Sequence, residues 1–267
     1  MIKLVATDID GTILGYNTDE FTNGVKDCMK KLEYRGIKVV LVTGRMHSAA
    51  CKVAKPLNLK TPIVSFQGGL VKDLVSGKTL YEKNLSPNRA KEVIDWARKN
   101  DIHVNLYLND TLYVEKDCEE IHRYVDRQKV PYTVCNFDEL ELNHINKILL
   151  IDYENEKRVT DWLNHLQVSM PELYVVKSTP NFCEVSNACA TKACAVRFLQ
   201  DYWGITPEET LTIGDQNNDI ELLKSGGTAV AMGNATVELK TYADYITDTV
   251  DNDGFVKAVE KFCFSVD

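Results

Sequence analysis

The residues most able to do chemistry fall in four places along the chain. Asp8-Ile9-Asp10-Gly11-Thr12 follows an apolar run, so two carboxylates sit where an open α/β sheet meets its ligand, beyond the carboxyl end of a strand. Val42-Thr43-Gly44-Arg45 sets a hydroxyl, a glycine and free amides before a helix, an arrangement that cradles an anion. Thr212-Ile213-Gly214-Asp215-Gln216-Asn217-Asn218-Asp219 gathers carboxylate and amide oxygens at another strand end. Such oxygens suit a hard cation that keeps several waters, and Mg²⁺ takes one or two carboxylates alongside phosphate oxygens. Lys192, at the start of a helix, is the fourth. Each also has a plainer reading on its own: aspartates cap turns, Thr43, Asn218 or Asp219 can cap a helix, and a lysine at a helix start is usually solvated.

These residues need strands that end beside one another. β-branched apolar runs alternate with helix-period segments at both ends of the chain, which predicts a parallel sheet with crossover helices. Strands are expected at 2–6, 37–42, 62–66, 210–213 and 228–232, and helices at 19–34, 45–55, 192–203 and 219–224. Together they make a doubly wound, Rossmann-like α/β core. The middle of the chain differs. Ser86 can cap a helix with Pro87 at its first position, and Ala90, Val93, Ile94 and Ala97 then recur on one face. Hairpins are expected at 103–108 with 112–115, and at 174–177 with 182–185 around Pro180-Asn181. Between them lie a strand at 147–151 and an amphipathic helix marked by Val159, Trp162, Leu163 and Leu166. Helices alternating with antiparallel hairpins predict an inserted α+β cap domain over residues 82–187, leaving 1–81 and 188–267 as the core.

Composition narrows the function. The 267 residues are enough for a substantial core, and 31 Lys+Arg against 39 Asp+Glu leave a formal charge of −8. An acidic pI near 5.3 lacks the electrostatic footprint of a nucleic-acid binder. The longest apolar runs, such as 39–42 and 148–151, are far short of a bilayer span, so no membrane partner is expected. Eight cysteines without C-x-x-C spacing and five scattered histidines argue for free structural thiols ahead of a metal knuckle or a redox pair. Asp8 comes too early to leave room for a secretory signal, so reduced thiols and a cytoplasmic location are expected.

Asp8-x-Asp10-Gly11-Thr12, Thr43-Gly44-Arg45, Lys192 and Gly214-Asp215-x-x-Asn218-Asp219, in that order and at strand ends, resemble the four motifs of the haloacid-dehalogenase-like phosphatases. The long insert between the second and third motifs resembles the type-two cap of the Cof-type subfamily. Val230-Ala231-Met232-Gly233-Asn234-Ala235 and Asn252-Asp253-Gly254 are similar to stretches typical of that subfamily, so the likeness spans nearly the whole chain. It implies an Mg²⁺-dependent phosphatase acting on a small phosphorylated metabolite, a sugar phosphate or a phosphorylated cofactor. It further implies that Asp8, the Asp10 carbonyl and Asp215 hold the Mg²⁺, that Asp8 attacks phosphorus to form an aspartyl-phosphate, and that Asp10 serves as acid and then base. Thr43, the Gly44 amide, Arg45, Lys192 and Asn218 are the implied substrate-binding set. Asn218 and Asp219 are implied to hold Lys192 or metal-bound water, and Thr12 to orient Asp10.

The chain departs from the family pattern in two places. Gln67-Gly68-Gly69 stands where an Asn-Gly-Ala turn is common, and Cys189 and Ala193 replace glycines around Lys192. Arg45, His47 and Gln67 are edge residues that could read the substrate, while Trp96, Trp162 and Tyr107 are expected to pack the insert. Two other functions share these motifs: a phosphomutase that returns the phosphoryl group to the sugar, and a phosphate-binding regulatory module without turnover. The cap favours the phosphatase over the first, and the size of the insert with the intact set Asp8, Asp10, Lys192 and Asp215 stands against the second. The sequence leaves the oligomeric state open.

Overall fold

The computed structural model describes residues 1–16, 18 and 20–264. In chain order the first elements are β1 (Leu4–Thr7), α1 (Asn23–Tyr34), β2 (Lys38–Leu41), α2 (His47–Ala54), β3 (Ile63–Ser65), β4 (Leu70–Lys72) and β5 (Thr79–Glu82). They are followed by α3 (Pro87–Lys99), β6 (His103–Leu108), β7 (Thr111–Val114), α4 (Glu119–Gln128), β8 (Thr133–Val134), β9 (Ile145–Ile151), α5 (Glu156–Ser169), β10 (Leu173–Thr179) and β11 (Phe182–Asn187). The chain closes with α6 (Lys192–Trp203), β12 (Thr210–Gly214), α7 (Ile220–Leu223), β13 (Thr228–Ala231), α8 (Val237–Lys240), β14 (Tyr245–Ile246) and α9 (Gly254–Val259).

The first sheet runs β14-β13-β12-β1-β2 with every pair parallel. Within it β1, Leu-Val-Ala-Thr, lies between β12 and β2 and is buried at all four positions, as a parallel strand covered on both faces must be. Alternation sends Val5 toward α1 and α9, where Val25, Met29, Leu32 and Phe255 pack, and Leu4 and Ala6 toward Ala195, Val196 and Leu199 of α6. The second sheet, β10-β11-β9-β6-β7-β8, is antiparallel except at β7 with β8. One of its faces packs on α3 and α5 through Ala90, Val93, Ile94, Val159, Trp162 and Leu166. Tyr107, Leu149 and Phe182 on the other face meet Ile121 and Tyr124 of α4 together with Met46, Ala49, Phe66 and Leu70 from the first part of the chain. An apolar seam therefore joins the second sheet to α2, β4 and the turn before β4.

Several expected elements differ. The helix expected at 19–34 begins at Asn23, after Thr22, whose hydroxyl accepts from the Val25 amide; the expected start at Asp19 lies outside the described residues. Residues 62–66 do not extend the parallel sheet. β3 lies beside β2 but its only ladder pairing there is the parallel Val42–Val64 bridge just past β2, and it turns back antiparallel into β4 and β5. The reversal is made by left-handed backbone at Phe66 and Gln67 and by Gly68 at φ 107°, where a Cβ would stand 2.1 Å from the Thr191 carbonyl oxygen. The helix after Arg45 starts later than expected, at His47, and a 3₁₀ turn at Asn217–Asp219 precedes α7. Among the described residues no helix is long and apolar enough to cross a membrane.

Candidate active site

The ends of three neighbouring parallel strands deliver the polar residues to one place. Asp8 follows β1, Thr43 lies two residues past β2, and Asp215 follows β12; the Asp8 amide donates to the Ile213 carbonyl at 3.0 Å, carrying the β1–β12 pairing one step further. Lys192 enters from the side as the first residue of α6, whose N-terminus is capped by Thr191 accepting from the Cys194 amide. Its ammonium is fully buried and donates to Asp8 Oδ1 and to Asp219 Oδ1, both at 2.6 Å. The other Asp219 oxygen accepts the amides of Asp215 and Gln216 at 2.9 and 3.1 Å.

Charge explains the tension in this cluster. Burial would discharge Lys192, but Asp219 and Asp8 hold its pKa above the ordinary lysine value. Burial pushes the Asp8 carboxyl well up against the pull of Lys192, and Asp219, Asp215 and Asp10 push the same way. Asp215 is raised to about 7, by burial first and then by Asp219, with the Tyr16 hydroxyl and the Gln216 amide working against the rise. Two of the three buried carboxylates, Asp8 and Asp219, thus share one ammonium, and among the described residues Asp215 is bonded to no cation.

Asp10 is held differently. Arg45 grips it through both ends of its guanidinium, Nε to Oδ2 at 2.8 Å and Nη2 to Oδ1 at 2.6 Å. The Arg45 amide donates to the Thr43 hydroxyl at 3.2 Å, which leaves that hydroxyl's own proton free to be given to a ligand. A Cβ at Gly44 would stand 2.4 Å from the Gln67 side-chain nitrogen, so any larger residue there would have to displace Gln67.

Gln67 is a junction. Its Nε2 donates to Glu184 Oε1 at 2.9 Å, and its Oε1 accepts from Asn218 Nδ2 at 3.0 Å. Glu184 Oε2 in turn accepts from Lys147 at 2.5 Å, and Lys147 also donates to the Gly44 carbonyl at 2.7 Å. Side chains from β9 and β11 therefore close over the Thr43-Gly44-Arg45 loop, and the Lys147–Glu184 pair is almost wholly buried, at 3% and 5% exposure. Under this roof lies a cleft of about 280 Å³ that reaches from Asp8 and Asp10 to a wall of Tyr124, Arg127, Tyr153, Asn181 and Phe182.

The structure thus brings Asp8, Asp10, Thr43, Gly44, Arg45, Asp215, Asn218, Asp219 and Lys192 into one neighbourhood. One contact differs from those the resemblance implied. Gly11, at φ 80°, turns the loop so that the Thr12 hydroxyl donates to Asp215 at 3.3 Å instead of orienting Asp10. Asp219 holds Lys192, while Asn218 donates to Gln67 and its buried side-chain oxygen has no partner among the described residues. His47 is buried between Ser65 and Cys51, where burial lowers its pKa to about 4, and it does not line the cleft. Cys189 is exposed and Ala193 buried in α6. Sequence reasoning missed Tyr16, Lys147 and Glu184. A lysine inside the apolar run Ile145–Ile151 and a glutamate inside Phe182–Asn187 are the signals that could have found the last two.

The donor set fits a divalent cation. Asp8, Asp215 and Asp219 each offer a carboxylate oxygen within 4.8 Å of the others, and the surplus of buried negative charge over Lys192 is what a hard doubly charged ion would neutralise. Asp215, buried with only hydroxyl and amide partners, is the carboxylate with most to gain.

Known proteins resemble this chain along nearly its whole length. The sequence profile of the haloacid dehalogenase-like hydrolases matches residues 5–259. The phosphatase YwpJ of Bacillus subtilis is 26% identical over 280 residues, covering 95% of this chain and 97% of its own. The 5-amino-6-(5-phospho-D-ribitylamino)uracil phosphatase YcsE of the same organism is 29% identical over 258 residues, covering 97% and 94%. Among solved structures, a phosphatase of the haloalkanoate dehalogenase superfamily from Bacteroides thetaiotaomicron superposes with a TM-score of 0.83 at 28% identity, over 98% of this chain and 95% of that one.

Proposed function

The chain belongs to the haloacid dehalogenase-like hydrolases, in their Cof-type branch, and from that premise we propose that this site hydrolyses a small phosphorylated metabolite through a phosphorylated Asp8. The enzyme is a phosphatase; sugar phosphates and phosphorylated cofactors, including ribityl compounds like the substrate named for the Bacillus relative, are the class of substrate proposed. The observation that carries the reading is Asp8 itself, held at the floor of the cleft by Lys192 with a second carboxylate, Asp10, two residues on.

The phosphoryl group enters with its oxygens toward the Thr43 hydroxyl, the Gly44 amide and Lys192, donors already fixed before the substrate arrives. Asp8 attacks phosphorus, and a bond forms from its carboxylate oxygen as the ester bond breaks. Asp10, released from Arg45, takes up a proton from solvent, passes it to the departing alkoxide and then takes one from the water that cleaves the acyl phosphate. Arg45, freed in the same movement, becomes a further donor to the phosphoryl oxygens. Lys147, Glu184 and Gln67 keep the cradle shut while this happens. Mg²⁺, held by the carboxylates of Asp8 and Asp215 and the carbonyl of Asp10, would screen the repulsion between the incoming carboxylate and the phosphate dianion.

Residues 82–187 are proposed as the cap, set between core segments 1–81 and 188–267. The change of sheet between β5 and α3, and again between β11 and α6, supports that division. Eight free thiols, two of them buried at Cys28 and Cys183, support the cytoplasm as the working compartment.

Asp8→Asn tests the reading. It preserves shape and removes the attacking oxygen's charge, so Mg²⁺-dependent turnover of p-nitrophenyl phosphate is expected to fall at least about a thousandfold. Turnover kept above that level in a folded Asp8→Asn protein refutes the assignment.

A further inference from the structure

Apart from the cleft, three side chains able to bind a metal converge on the α4 side of the second sheet. His103 stands on β6, and Cys118 and Glu120 lie at the start of α4. One ligand atom from each can be chosen so that all lie within 4.8 Å of one another, and none of the three lines the cleft. The histidine is set in a particular state. Cys118 Sγ is 3.2 Å from His103 Nδ1, and His103 Nε2 is 2.8 Å from the side-chain oxygen of Asn105. In the neutral ring the proton that Nε2 gives to the Asn105 oxygen is the only one, so Nδ1 is bare toward the Cys118 thiol, which also has the Glu120 carboxylate as a hydrogen-bond partner. Asn105 is fully buried two residues along the same strand face, so it fixes the ring's orientation as well as its tautomer. That is the service a neighbouring acceptor performs for a metal-bound histidine.

The spacing is also right. A four-coordinate ion with bonds of about 2.0 Å to nitrogen or oxygen and about 2.3 Å to sulfur keeps its donors roughly 3.3 to 3.7 Å apart. The nitrogen and sulfur here need to move by only a few tenths of an ångström. We propose that His103, Cys118 and Glu120 form a binding site for a borderline-soft divalent cation of the zinc class, with a water as fourth ligand. The ion takes the place of the thiol proton, which passes to solvent. Thiolate and carboxylate together cancel its charge, which suits three half-buried ligands, and the sulfur makes the site unsuited to Mg²⁺. The ion would clamp the start of α4 to β6. The far end of that helix supplies Tyr124 and Arg127 to the cleft, and the Tyr107 hydroxyl, on the face shared with Asn105, donates to Tyr124 at 2.5 Å.

The test uses the full chain with Mg²⁺ in millimolar excess to fill the acidic cluster, titrated with Co²⁺ as the spectroscopic probe. One equivalent is expected to bind, with a near-ultraviolet thiolate-to-cobalt band and visible bands of four-coordinate cobalt, all bleached by Zn²⁺. Cys118→Ser is expected to lose the near-ultraviolet band, and His103→Gln and Glu120→Gln to weaken binding about tenfold or more. Cys51→Ser, whose thiol faces His47, keeps the spectrum. Wild-type protein that gives no such band overturns the proposal whatever the variants do. So does a band that survives both Cys118→Ser and His103→Gln, or one that disappears with Cys51→Ser.

Discussion

Arg45 holds Asp10 by both prongs of its guanidinium fork, and a carboxylate in that grip is an acceptor with no proton to give. If Asp10 is the acid for the leaving group, the pair must part when substrate binds, and the phosphoryl oxygens are the natural competitor for Arg45. Arg45→Ala is then expected to raise KM by about ten- to a hundredfold, the value of a charged hydrogen bond, with a smaller fall in kcat. Asp10→Asn is expected to do the reverse, cutting kcat for alkyl phosphates far more than for p-nitrophenyl phosphate, whose leaving group needs little protonation. Steady-state kinetics on the two substrate types reads both; equal losses for Asp10→Asn on the two would remove it as the acid.

Asp215 ties metal binding to pH. Without a cation, burial and Asp219 raise its pKa to about 7, above the unfolded value near 4, so the folded state holds a proton that the unfolded chain has released. Stability of the metal-free protein therefore falls as pH climbs from about 4 through 7. A cation that takes the proton's place reverses the loss. Thermal melts are expected to show a larger Mg²⁺-induced rise in Tm at pH 8 than at pH 5.5, and Asp215→Asn to flatten the difference. An Mg²⁺ shift independent of pH would count against Asp215 as a ligand.

How much of this was legible depended on whether a residue's role is local. Asp8, Thr43 and Asp215 announce themselves because each follows its own apolar strand, and a parallel sheet brings such ends together. Lys192 does not; a lysine at a helix start reads as solvated, and only its place in the order of motifs aimed it inward, to where it is wholly buried. α4 went unseen because Ile121 and Tyr124 are its only buried side chains, too few for a period. The partners of Gln67 were equally hidden, since Glu184 and Asn218 are distant in sequence and meet only once the two sheets are joined.

Lys192 sits between two buried carboxylates, so its removal is a stability experiment as well as a catalytic one. Lys192→Met leaves Asp8 and Asp219 facing each other without a cation, at a cost of about 3 to 5 kcal/mol near neutral pH. Part of that loss is expected to return at pH 5, where a carboxylate can take up a proton. Urea titrations at the two pH values check this, and a variant as stable as wild type at pH 7.5 would show that the triad is not under strain of charge.

His47 gives the opposite pH slope. Burial, helped by Lys72, lowers its pKa to about 4, whereas an unfolded histidine titrates near 6.5. Below 6.5 the unfolded chain gains a proton that the fold refuses, so stability is lost as pH falls from 6.5 toward 4. His47→Gln removes this component, and its melting temperature is expected to drop less than that of wild type between pH 7 and pH 5, with little change in KM because His47 does not line the cleft.

The roof of the cleft can be tested apart from its floor. Lys147 joins β9 to the Gly44 carbonyl, and Glu184 joins β11 to Gln67, so the closed arrangement depends on side chains that never meet the attacked phosphorus in the proposed reaction. Glu184→Gln keeps the volume but ends the ion pair, leaving Lys147 buried beside a neutral amide and the cradle free to open. A substrate large enough to fill the cleft out to Tyr124 and Phe182 needs the cradle and roof aligned at once, whereas p-nitrophenyl phosphate can react with the roof ajar. The expected result is a fall in kcat/KM of about tenfold or more on the larger phosphate esters and a much smaller one on p-nitrophenyl phosphate. Uniform losses on both would mean that the pair supports only the fold. A loss confined to the small ester would mean that closure over the Thr43-Gly44-Arg45 loop serves the phosphoryl group and not what it is attached to.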